Sequence, residues 1–197
     1  MMKRLFSWLA LVFAVAIASG CAHPITMNPD LSTIAGDPSA VIGKSVGYHI
    51  AESAKALEVT TGGGGGDKVR YFPYRDLEPG LYKALSELFT AVSRVQDPKD
   101  TAAMNSKGIQ LLIVPEIKTL SSSESVFTWP PTQFTVDLTC TVSSPQGQAV
   151  DVIRVSGYGQ ATFDEFKSNF SLAAVRASND ALGKLVKALT ASSRLRN

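Results

Sequence analysis

Residues 132–142 read Thr132-Gln133-Phe134-Thr135-Val136-Asp137-Leu138-Thr139-Cys140-Thr141-Val142. Phe134, Val136, Leu138, Cys140 and Val142 alternate with Thr135, Asp137, Thr139 and Thr141, so one face is apolar and the other polar. That is the period of a strand half-buried in a sheet. Pro145-Gln146-Gly147 follows, with a proline that presets a turn and a glycine that closes it. Val150 to Phe163 then returns as the second arm of a hairpin. A change of phase between Val152 and Ile153 predicts a bulge, and Gly157 and Gly159 predict twisting or close packing.

Upstream, Gly108 to Thr119 is a further strand. Ile109, Leu111, Ile113 and Ile117 share one face while Leu112 and Val114 occupy the other, which predicts cover on both sides along its first half. Pro115 lacks a ladder donor, so pairing on its side should stop or bulge there. A helix is expected from Pro79, placed at its first position after a cap by Asp76 or Glu78. Leu81, Leu85, Leu88, Val92 and Val95 form its stripe, and Pro98 ends it. A second helix spans about Ser171 to Ser193, with Leu172, Val175, Leu182, Leu185, Val186 and Leu189 on one face. Shorter extended pieces are expected at Val41 to Ile50, Leu57 to Thr60 and Val69 to Tyr74. Strands, helix, strands, helix in this order predict an α+β fold, an antiparallel sheet with two helices packed on one face.

The start of the chain is of another kind. Lys3 and Arg4 precede an uncharged apolar run from Leu5 to Ile17, and Ala18-Ser19-Gly20 leads into Cys21. Such a run is too short to span a bilayer, which takes ~20 residues, and reads as a secretory signal over 1–20. Residues 21–40 hold scattered prolines and short polar side chains without periodicity and read as a flexible tether. A single domain would then occupy 41–197. The two basic residues of the signal account for the whole formal net charge of +2. A balanced mature chain gives no electrostatic case for nucleic acid.

Little in the domain points to catalysis, and no metal or cofactor is expected. Five consecutive glycines, Gly62 to Gly66, run into Asp67 and lack the Gly-Lys-Ser/Thr ending of a phosphate loop. With His23 in the tether, His49 is the remaining candidate base, and no nucleophile elbow accompanies it. It would gain interest only by facing Asp67 or Asp164 across a cleft. Asp164 and Glu165 suit the start of a helix. Cys140 has no partner if Cys21 is modified, and its place in the strand makes it a small buried hydrophobe. Two stretches have both a structural and a partner-binding reading. Phe127-Thr128-Trp129-Pro130-Pro131 either folds over the sheet or presents a stiff aromatic tip, with Phe127, Trp129 and Pro130 exposed to a partner. Lys68 to Arg75 alternates basic and aromatic side chains, so Arg70, Tyr71 and Tyr74 either stack on a glycan or peptide or belong to an edge strand protected by charge.

Ala18-Ser19-Gly20-Cys21 resembles a bacterial lipobox. The resemblance implies cleavage before Cys21, diacylglyceryl transfer to its sulfur, and, with Ala22 rather than Asp next, an outer-membrane address facing the periplasm. The element order, carried by Gly108-Ile109-Gln110-Leu111-Leu112-Ile113-Val114 and the Phe134 to Phe163 hairpin, resembles small Gram-negative lipoproteins of the YajG type. A lipid-anchored, non-enzymatic binding or assembly module is therefore expected, with the membrane and an envelope protein as partners. The alternative is an auxiliary lipoprotein subunit of a lipid or solute transport system, with an apolar ligand held between helices and sheet.

Overall fold

The computed structural model describes residues 22–63, 68–123 and 131–196. Strands β6 (Leu111–Ser122), β7 (Gln133–Ser143) and β8 (Ala149–Gln160) form the antiparallel half of a five-stranded sheet. The β6–β7 register is continuous from Leu112↔Ser143 to Ser122↔Gln133. Phe134, Val136, Leu138, Cys140 and Val142 all point into the core, as the alternation requires. The register shift lies at Val150, where Val142 pairs with Asp151 and Ser143 with Ala149, and not between Val152 and Ile153.

The other half of that sheet is parallel, which corrects the all-antiparallel expectation. Strand β2 (Ile42–Tyr48) pairs in parallel with both β6 and β5 (Phe89–Arg94), giving the order β5-β2-β6-β7-β8. A second, three-stranded sheet joins β1 (Ala22–Pro24), β4 (Lys68–Tyr71) and β3 (Val59–Gly62). Short helices α1 (Glu52–Lys55), α3 (Thr101–Ser106) and α4 (Phe163–Ser168) accompany the long α2 (Pro73–Ser86) and α5 (Leu172–Ala191), so helices number five among the described residues rather than two.

Helix α2 begins at Pro73, six residues before the proline expected to start it, and keeps Pro79 in its interior. It ends at Ser86. The stripe from Leu81 continues through Leu85, but Leu88 lies in the turn and Val92 in β5, because pairing with β2 outweighs the helical spacing. Threonine and valine at 90 and 92 suit that strand.

Helices α2 and α5 cover one face of the large sheet. Helix α5 lies unusually close to β8: a methyl group placed on Gly157 would sit 2.2 Å from the Ala177 carbonyl oxygen, and one on Gly159 2.1 Å from that of Ala173. Ala173, Ala177 and Ala181 form the matching stripe on the helix. On the opposite face Val95, Met104, Ile109 and Leu112 make a small second core beneath α3.

Pro115 acts as its position demands. Pairing with β2 ends at Ile113, while β7 pairs straight through Pro115↔Cys140. Beyond that point side-chain hydroxyls tie the uncovered edge of β6 to α2 and β3. The Ile117 amide donates to the Tyr74 hydroxyl at 3.1 Å, and the Ser121 hydroxyl donates to the Gly62 carbonyl at 2.8 Å. From Ser156 to Gln160 the free edge of β8 is closed by one row of α5. Tyr158 N–H donates to Asp180, Lys184 Nζ donates to the Ser156 carbonyl, and Arg176 donates to the Gln160 carbonyl. An edge capped in this way offers no ladder to another chain.

Residues 22–40 correct the tether expectation. Ala22 to Pro24 pair with Lys68 to Arg70, and Met27 is fully buried at 0% exposure together with Ile25 and Ile34. The Met27 amide donates to the buried Asp76 carboxylate, and Asp30 and Asp37 each turn the chain by accepting from the serine two residues on. The segment runs the length of the domain, and Arg196 reaches the Ala40 carbonyl at the far end.

Candidate functional site

The basic–aromatic segment is divided by β4. Tyr71 is a core residue, 1% exposed, with its ring edge-on to Phe134 at 5.1 Å and its hydroxyl against Thr119 and Thr61. Burial raises its pKa above the ordinary tyrosine value. Tyr74 stands on α2 and holds the Ile117 amide. Arg70 is exposed, while its carbonyl accepts from the Ile25 amide. The stacking surface expected from Arg70, Tyr71 and Tyr74 is thus not assembled: strand alternation sends Tyr71 inward and Arg70 outward. Cys21, Phe127, Trp129 and Pro130 lie outside the described residues, as do Gly64 to Asp67.

His49 does not meet Asp164. Its Nδ1 lies 2.9 Å from the Val95 carbonyl, which ties the end of β2 to the end of β5. Nearby, Glu78 accepts from Lys55 at 2.6 Å and from the Tyr48 hydroxyl at 3.3 Å, and pairs with Arg94, which also holds Glu52. Desolvation, with the Glu78 charge second, pushes the Tyr48 hydroxyl up to about 12, so it stays protonated and donates. This group joins α1, α2, β2 and β5, and its carboxylate is saturated with donors. Asp164 and Glu165 do start a helix: Thr162 and Glu165 form a reciprocal capping box at α4. The bidentate hydrogen bonds from Arg176, with the Thr162 amide second, hold the Glu165 carboxyl at about 2. Among the described residues no group of three or more His, Cys, Asp or Glu stands where it could hold a metal ion.

Cys140 is fully buried, and desolvation raises its thiol from 9.0 to about 12. The sign of the linkage follows. Above pH 9 the unfolded thiol ionises while the folded one stays protonated, so stability present below pH 9 is lost as pH rises toward 12. The thiol's share is about 1.4 kcal/mol per pH unit in that window. Urea midpoints measured from pH 8.5 to 10.5 should fall more steeply for the native chain than for Cys140→Ala; equal slopes would contradict the assignment.

Two cavities bear on ligand binding. The space between α2, α5 and the sheet, lined by Leu77, Leu81, Ile117, Val136, Leu138 and Leu182, has a volume of only about 10 Å³. That is room for about one water. A larger groove of about 330 Å³ lies between the end of β5 and α3, lined by Arg94, Asp97, Asp100, Met104 and Lys107 among others. Its carboxylates are engaged locally, Asp97 with the Lys99 amide and Asp100 with that of Ala103.

The outer face of β6, β7 and β8 is accessible. The register places Leu120, Thr135 and Tyr158 in one row and Val114, Thr141 and Val152 in another. Between them lie Lys118–Asp137–Ser156 and Glu116–Thr139–Arg154. Leu120, Tyr158, Val152 and Val114 are exposed. The sequence analysis reads this face as the polar side of the hairpin and expects cover over Leu112 and Val114 of β6; Leu112 is covered, whereas Val114 is exposed.

No family model matches the chain, and no curated protein does. Solved structures do. Protein XCC0632 from Xanthomonas campestris, family DUF330, is 11% identical with a TM-score of 0.50 over 86% of this chain and 92% of that one. A PelC variant from Paraburkholderia phytofirmans, described as a dodecamer, is 14% identical with a TM-score of 0.42 over 77% and 92%. A minor lipoprotein from Acinetobacter baumannii is 11% identical with a TM-score of 0.41 over 75% and 93%. The first shares the fold; the other two follow the chain too loosely to bear on this one. Among the described residues no helix is long and apolar enough to cross a membrane.

Proposed function

We propose that the protein is a lipid-anchored envelope protein of the outer membrane, facing the periplasm, that binds or assembles with an envelope partner and does not catalyse a reaction. The observation that carries this is the sequence from Lys3 to Cys21, with a basic start, an apolar run too short to span, and small residues before the cysteine. Acylation of Cys21 by two or more chains would hold the domain durably. The chemistry of the described residues supports a non-enzymatic role: His49 is bound to a carbonyl, Cys140 is a buried thiol, and the Glu78 carboxylate is consumed by structural donors. The outer face of β6, β7 and β8 is the surface such a module would offer. The small volume of the cleft between helices and sheet, about 10 Å³, lends no support to the transport-subunit reading with an apolar ligand held there.

Metabolic palmitate labelling with membrane fractionation tests the anchor. The native chain should carry label and sediment with outer membranes, and Cys21→Ser should lose the label completely. Label retained on Cys21→Ser, or a native chain purified with residues 1–20 attached, refutes the reading.

A further inference from the structure

Cys21 stands one residue before β1, so the structure fixes where on the domain an anchor would attach. Ala22 pairs with Lys68, and Lys68 with Gly62. Ser121, near the end of β6, bonds to Gly62. Ser122 pairs with Gln133 at the start of β7, and Gln133 with Gln160 at the end of β8. The origin of the chain, these strand ends and helix α4 therefore share one pole of the molecule. The β7–β8 turn, closed by the Ser144 amide on the Gln148 carbonyl, marks the other pole. The length of β7 separates the two by ~35 Å at ~3.3 Å per residue.

The anchor pole carries exposed aromatics. Phe163 is 47% exposed and Phe170 39%. The Phe170 ring lies 5.3 Å from that of His23, two residues beyond the anchor, and 4.9 Å from the buried Phe166. Lys167 stands over the Phe163 ring at 4.8 Å and pairs with Asp164 at 2.8 Å. Lys68 is exposed beside Ala22. Aromatic rings flanked by lysine suit the headgroup layer, where rings meet the acyl boundary and ammonium groups reach water.

We propose that the pole bearing Ala22, Phe163, Lys167 and Phe170 rests on the lipid headgroups of the membrane that holds Cys21. The inference deepens the reading above and depends on Cys21 being acylated. With residues 22–24 paired to β4 and Ile25 and Met27 buried in the core, little slack remains to suspend the domain in solution. The occupant is the bilayer, because Cys21, the residue that would be acylated, directly precedes Ala22 in the sequence and Ala22 lies at this pole. The β7–β8 turn and the outer face of the sheet then stand away from the membrane, where a periplasmic partner can reach them.

The test uses the full acylated protein in vesicles of phosphatidylethanolamine and phosphatidylglycerol, with an environment-sensitive fluorophore on Ser168→Cys or on Gln146→Cys. Cys140 is buried and an acylated Cys21 is blocked as a thioether, so the introduced cysteine takes the label. Nitroxide lipids should quench the label at 168 several-fold more than the one at 146, and adding Phe163→Ser should reduce that difference while the protein still floats. Acylated, floating protein with equal quenching at both positions overturns the seated pole and leaves the anchor standing. Protein without acyl mass that fails to float overturns the anchor, and the seat with it.

Discussion

Gly159→Ala is expected to prevent stable folding. The added methyl would lie 2.1 Å from the Ala173 carbonyl oxygen and 2.4 Å from the Ala177 amide nitrogen, and both obstacles are helix backbone. A side chain in the way can rotate; a helix must move as a body. Helix α5 cannot lift from β8 without opening contacts made by Leu182, Leu185 and Leu189, all fully buried, and without unseating the Asp180 and Lys184 side chains from the β8 edge. Overpacking in a compliant core costs about 1–3 kcal/mol, and this site belongs above that range. Gly157→Ala should behave alike, meeting the Ala177 carbonyl at 2.2 Å. Gly183→Ala is the control, since nothing lies within 4 Å of a methyl there, and alanine is the better helix former by about 1 kcal/mol. Urea unfolding followed by circular dichroism decides: Gly183→Ala should hold or raise the midpoint, and Gly159→Ala should lose the cooperative transition. A normal midpoint for Gly159→Ala would mean that α5 does not sit on β8 as described.

That contact also marks where the sequence could be read and where it could not. Strand β7 was legible because every second residue from Phe134 to Val142 is apolar and the opposite face is threonine and aspartate. The half of the sheet formed by β2 and β5 was not. Leu81 to Val95 holds a helical spacing across a turn and a strand, and only the pairing of β5 with β2 decides the break. Helix α5 was found through its leucines, yet the residues that set its distance from the sheet are Ala173, Ala177 and Ala181. Alanine carries almost no hydrophobic signal, and the stripe has meaning only beside Gly157 and Gly159. Of the candidate partner-binding residues, alternation in β4 could have separated Tyr71 from Arg70, since neighbours in a strand face opposite ways. The capping box at Thr162 could also have been read, from threonine followed three residues later by glutamate.

Met27→Ala with Ile34→Ala is expected to unfold the domain or nearly so, and the result separates a packed segment from a flexible tether. Both side chains are fully buried, yet neither belongs to a helix or strand with a face of its own; the segment is extended, with short turns at Asp30 and Asp37. It takes its shape from α2 and α5, with Pro29 against Gly80, Asp30 bound to Asn179 and the Met27 amide on Asp76. Hence no periodicity announced it. Truncating a buried methionine or isoleucine to alanine costs about 2–5 kcal/mol. Two such losses approach the whole stability of a domain, about 5–15 kcal/mol. If residues 22–40 were a flexible tether, the double variant would melt with the native chain. The expected outcome is a transition lowered to the point of vanishing in urea, measured on the chain from Ala22 onward, with Leu31→Ala, an exposed site on the same segment, left near native. A segment folded into the core this firmly would carry the position of Cys21 to the whole domain, so that, were Cys21 acylated as proposed, the attachment point would decide which surfaces face away from the membrane.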